Sequence, residues 1–184
     1  SGYLWRDIMP QLAQYGRCIA PDLIGMGESD KPDIEYRVFD HIDYINQFIE
    51  ALNLTDVILV LHGWGSVIGF EYAHQHPDNV SAIAFFESHI RPTVEWEMLS
   101  LPVQQLSTML IKTDASYKVV IEKNYCIRKL LPSGAVEPLA PCAIEEYEKH
   151  FLTEESRSPL WQYLIDLPLG NGPEDVVELI DNYS

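Results

Sequence analysis

The sequence predicts an α/β protein built on a doubly wound parallel sheet. Three observations carry this: a short apolar run at Asp56–Leu61, a helical stripe upstream of it, and a repeated order of strand, helix, strand, helix, strand. Asp56-Val57-Ile58-Leu59-Val60-Leu61 is unbroken and rich in β-branched residues, so it reads as a strand buried on both faces of a parallel sheet. Two further strands are expected at Arg17–Pro21 and Ser81–Phe86. Between the first two, Phe39, Ile42, Ile45, Phe48, Ile49 and Leu52 recur at three- and four-residue steps, giving one apolar helix face, and Asn53 serves as the helix stop. Ligand sites of such sheets lie beyond the carboxyl ends of the strands, where Gly63 and Glu87 fall.

The second half has a different texture. β-branched runs vanish after Glu87, and prolines appear at 92, 102, 132, 138, 141, 159, 168 and 173 between short helical patterns. This reads as an inserted helical cap. Its clearest helix is expected over Asp114–Leu131, with Tyr117, Val120, Ile121, Tyr125, Ile127 and Leu131 as an uneven stripe and Pro132 as its end. Leu169-Gly170-Asn171-Gly172-Pro173 reads as a hinge, followed by a helix through Tyr183 that has Pro173 near its start. The expected division is therefore 1–89 for the main domain, 90–169 for the cap and 170–184 for the return helix.

Composition sets outer bounds on function. The chain's 184 residues, 47% hydrophobic and 22% charged, suffice for one sizeable core. No apolar run approaches the roughly 18 to 20 residues that span a bilayer, and the opening residues lack the regions of a signal peptide, so no membrane partner is expected. With 12 basic against 28 acidic side chains the formal charge is -16, which disfavours nucleic acid. Cys18, Cys126 and Cys142, odd in number and widely spaced, fit reduced thiols in a cytoplasmic setting better than a disulfide framework.

Several chemistries are set aside on spacing. His74 and His76 fall on different faces of a helix, and His41, His89 and His150 lack ligand-spaced companions, so no metal site is expected. Ser66 lies inside the first helical turn without a G-x-S-x-G frame, which argues against a serine nucleophile. The glycines at 63, 65 and 69 imitate a dinucleotide fingerprint, but the last is one residue late and no ribose-binding acid follows. The Gly25–Asp30 loop lacks the Lys-Ser/Thr pair of a phosphate cradle, so no cofactor is expected.

Val60-Leu61-His62-Gly63-Trp64-Gly65-Ser66 has the build of a strand-to-helix nucleophile elbow, and its tip is glycine. His62-Gly63-Trp64-Gly65-Ser66 resembles the H-D-W-G-S elbow of haloalkane dehalogenases, members of the α/β-hydrolase fold. The likeness continues in order through Ser1–Pro10, Gly16–Asp22, Leu23–Pro32, Phe48–Leu54, Phe86-Glu87 with Arg91-Pro92, and Pro159-Leu160-Trp161. Coelenterazine luciferase of the sea-pansy type shares this pattern, so the resemblance alone does not separate the two.

The resemblance implies an α/β-hydrolase fold with a partial parallel sheet and an inserted helical cap, the N- and C-terminal parts of the main domain lying outside the chain. In that family an aspartate at the elbow attacks the halogen-bearing carbon, and a histidine-activated water then hydrolyses the ester. The resemblance places Gly63 at the nucleophile position, Trp64 at the halide through its indole N–H, and Glu87 as the acid that orients the catalytic histidine, itself expected beyond Ser184. Phe151 is either a residue bordering the substrate cavity or an ordinary core phenylalanine. The implied partners are a small halogenated hydrophobic substrate and a halide ion. Glycine offers no carboxylate, so the chain is expected to be inactive. A pocket-keeping binding protein, a non-functional fragment and a luciferase-like monooxygenase remain the alternatives. With an empty strand slot between its first two strands, the chain alone is also expected not to form a stable native monomer.

Overall fold

The structure is a computed structural model that describes residues 1–91, 96–110, 114–168 and 172–184. Pro92 and residues 169–171 of the expected hinge lie outside the described residues. The chain forms two compact units, one of Ser1–Ile34 with Asp114–Trp161 and one of Glu35–Thr113 with Gln162–Ser184. Their division differs from the one read off the sequence at 89 and 169, because each unit joins distant stretches of chain.

The second unit holds the sheet. Strands β1 (Val57–Gly63) and β2 (Val80–Ser88) pair in parallel, joined by helix α2 (Trp64–Gln75) and preceded by helix α1 (Val38–Ala51). The α1 stripe works as expected in part: Ile42 and Ile49 are buried together with Val38 and His41, whereas Leu52 is 42% exposed. Asn53 ends the helix in the left-handed region at φ 49, its N–H donating to Glu50 O and the Leu54 N–H to Ile49 O. This is a Schellman closure, a geometry that asparagine tolerates. Close packing sets the seat of α2 on β1, since a Cβ at Gly69 would stand 2.3 Å from a Leu61 methyl.

Two expectations about strands are corrected. Arg17–Pro21 is extended chain but no strand, because no neighbouring strand pairs with it among the described residues. Burial on both faces also fails: Ile58 is 66% exposed and Val60 38%, on the face of β1 opposite Leu61, which α2 covers. Helix α4 (Glu174–Tyr183) follows Pro173 as expected and buries Val176, Leu179 and Ile180.

The first unit packs around Val120, Ile121, Cys126, Ile127 and Phe151. The single helix expected over Asp114–Leu131 is corrected to two stretches that part at Asn124: an α-helical turn, Asp114–Tyr117, that runs into a wide, π-type turn at Lys118–Glu122, and a second π-type turn, Cys126–Leu130, that runs on into Leu131–Ser133 past Pro132. Asn124 adopts φ 51 and is buried with its amide donating to Phe151 O, which explains why the apolar stripe was uneven. The buried Arg157 donates to the carbonyls of Phe151, Ile121 and Leu152, so its guanidinium is satisfied by backbone.

Candidate active site

The elbow is built from the end of β1 and the start of α2. Gly63 takes φ 53 and ψ -130, a conformation that strains any residue with a side chain. Nothing lies within 4 Å of the position its Cβ would occupy. The backbone therefore has the posture of a nucleophile elbow, and the space for the side chain is open.

Ser66 fixes that posture. Its buried hydroxyl donates to Gly63 O at 2.6 Å and accepts the His89 N–H at 2.9 Å, tying the elbow to the residues that follow β2. With both capacities used inside the fold, Ser66 has a structural task, in keeping with its rejection as a nucleophile.

Glu87 stands at the end of β2 at φ 46, also in the left-handed region. The pairing of His62 with Phe86 and of Gly63 with Ser88 makes Glu87 the extra residue of a bulge. Its carboxylate is 83% exposed and lies 3.3 Å from His62 Nε2. His62, Gly63 and Glu87 thus meet at adjacent strand ends. Phe151 belongs to the other unit, where it is a 5% exposed core residue whose carbonyl accepts from Asn124 and Arg157.

Trp64 is buried at 3% exposure, and its indole N–H donates to the carbonyl of Tyr163 at 3.0 Å. The two rings stack edge to face, 5.2 Å apart. Tyr163, in helix α3 (Ser158–Ile165), belongs to the second unit. Burial raises its phenol pKa, and the backbone N–H of Trp64, facing the oxygen, pulls it back.

A cavity of about 10 Å³ sits beside this contact, bordered by Tyr36, Val38, His41, Trp64, Tyr163 and Asp166. It has room for roughly one water molecule. Both ring nitrogens of His41 are buried without a hydrogen-bond partner, and burial lowers its pKa to about 4 against the pull of Asp40. Asp166 is buried as well; it accepts the Val38 N–H at 2.9 Å and pairs with Arg37 Nε at 2.9 Å, capping α1. Asp40 accepts the Arg37 N–H at the same helix start, a pattern signalled by an acid three residues after the cap. Sequence reasoning missed Tyr163 and His41, for which no local motif exists. Among the described residues no group of three or more His, Cys, Asp or Glu side chains could hold a metal. All three cysteines are free, and burial pushes the Cys126 thiol up to about 12.

Strand, sharp turn and helix with an acid at the neighbouring strand end define an α/β-hydrolase scaffold. Residues 1–117 match the model of the alpha/beta hydrolase fold family, and the chain belongs to that family. Among its relatives it is 38% identical to a haloalkane dehalogenase of Mesorhizobium japonicum, over 97% of this chain and 58% of that protein. It is 36% identical to the coelenterazine h 2-monooxygenase of Renilla reniformis, over 100% of this chain and 60% of that one. The solved haloalkane dehalogenase DbeA from Bradyrhizobium elkani superposes with a TM-score of 0.95 at 34% identity, covering 100% of this chain and 63% of its own. The chain thus resembles haloalkane dehalogenases along its whole length and spans about three fifths of theirs. Among the described residues no helix is long and apolar enough to cross a membrane.

Proposed function

We propose that this chain is a haloalkane dehalogenase-like α/β hydrolase whose elbow lacks its nucleophile, so that it does not turn over haloalkanes as it stands. One observation carries the reading: Gly63 holds the elbow backbone at φ 53 with open space where a carboxylate would stand. In the active form of such a site, an aspartate oxygen displaces halide from the alkyl carbon, and water then cleaves the ester. The sum is haloalkane plus water to alcohol, halide and a proton. Glycine can neither accept the alkyl group nor supply the negative charge.

The remaining roles follow from position. Glu87 is the acid for a histidine and Trp64 the halide donor, with 90–169 as the cap and the cytoplasm as the location. Small halogenated hydrophobic molecules are the substrate class. Incubation with 1,2-dibromoethane is expected to release no bromide above the buffer rate, while Gly63→Asp gains a covalent alkyl adduct, read by intact mass, with one bromide per adduct. Bromide release by the unaltered chain would overturn the reading.

The similar identity to the Renilla monooxygenase favours a second reading, oxidation of coelenterazine by O₂. Light emission on adding coelenterazine would select it.

A further inference from the structure

Trp64 has two donors in the elbow region, its backbone N–H and its indole N–H, and one residue attends to both. The Tyr163 carbonyl accepts the indole N–H at 3.0 Å, and the Tyr163 hydroxyl faces the backbone N–H. The phenol ring also packs edge to face on the indole at 5.2 Å. A cavity of about 10 Å³, room for about one water molecule, borders both Trp64 and Tyr163.

The segment that carries Tyr163 is itself fastened. Gln162 donates to Asp166 at 2.8 Å, and Asp166 is held by Arg37 and by the Val38 N–H at the start of α1. A tryptophan indole has one donor and no acceptor, so while Tyr163 holds it no anion can bind there.

We propose that Tyr163 is a built-in competitor for the anion-facing donors of Trp64, an autoinhibitory latch that keeps them occupied until the end of α3 moves. This rests on the reading of Trp64 as a halide donor. An anion must displace the Tyr163 carbonyl from the indole and the hydroxyl from the backbone N–H, and its apparent affinity falls by the fraction of time the latch is open. Shortening the side chain removes the hydroxyl and the ring, leaving the carbonyl on a backbone no longer pinned by stacking.

Bromide titration followed by tryptophan fluorescence tests this, with Trp64→Phe as the control in each background to isolate the Trp64 signal from Trp5, Trp96 and Trp161. Tyr163→Ala is expected to tighten bromide binding about tenfold, and Tyr163→Phe, which loses only the hydroxyl, about threefold. Near-UV circular dichroism checks that each variant retains its packing; if Tyr163→Ala does not, the Tyr163→Phe result decides. Trp64-dependent quenching of equal strength in parent and variants would overturn the latch and leave the halide reading standing. Absence of Trp64-dependent quenching in every variant would overturn both.

Discussion

The ends of the two paired strands make an instructive contrast. At the end of β1, Gly63 holds a backbone posture with φ 53 and carries no side chain. At the end of β2, Glu87 has kept its side chain in a comparable posture, φ 46, as the extra residue of a bulge. Glycine occupies left-handed space freely, whereas glutamate there costs about 1 to 3 kcal/mol. Strain is present where a carboxylate is displayed and absent where the residue is glycine. The geometry that aims a side chain thus comes from the surrounding backbone and its tethers, and does not require the side chain.

The contrast breaks most completely at Gly63. Gly63→Asp should convert a chain with no alkylation into one that gains a single adduct from 1,2-dibromoethane, and combining it with Tyr163→Ala should accelerate adduct formation about tenfold, measured by mass spectrometry against time. No adduct in either variant would mean that the open elbow is not a nucleophile position.

His41, which shares a small cavity with Trp64, links stability to pH. The unfolded chain takes up a proton near the ordinary 6.5, whereas the native protein resists to about 4, so acidification favours the unfolded form. About 3 kcal/mol should be lost as pH falls through that window. Denaturant melts of the parent should show this slope, and His41→Phe should flatten it.

The tether is tested by Ser66→Ala, which removes both the bond to Gly63 O and the acceptor for the His89 N–H. A loss of about 2 kcal/mol is expected in a denaturant melt. At β2 the change should have the opposite sign: Glu87→Gly releases the left-handed strain and is expected to gain about 1 kcal/mol, the exposed pairing with His62 contributing little. A loss there would mean that the bulge depends on the glutamate.

Local signals were readable where the physics is local. Asp56–Leu61, Asn53 and the elbow are each specified by neighbours in the chain: a β-branched run, a residue that accepts positive φ, and a glycine between strand and helix. Arg17–Pro21 misled because a strand exists only with a partner, which no run of residues guarantees. The break at Asn124 depends on the Phe151 carbonyl, 27 residues away, and the Tyr163 contact on a main-chain oxygen that every residue carries. Such long-range backbone acceptors leave no mark in the composition of a segment. Gly63, Glu87 and Trp64 could be picked out from the sequence, but what Trp64 donates to could not.

Because Ser66 ties the carbonyl of Gly63 to the chain that follows β2, the turn is held through main-chain atoms and needs no side chain at its tip. Aspartate and glycine codons differ by one base, so a lineage could lose and regain the reactive group without rebuilding its frame. The hydroxyl of Ser66 is in that sense a brace that serves the turn whichever residue stands at its tip.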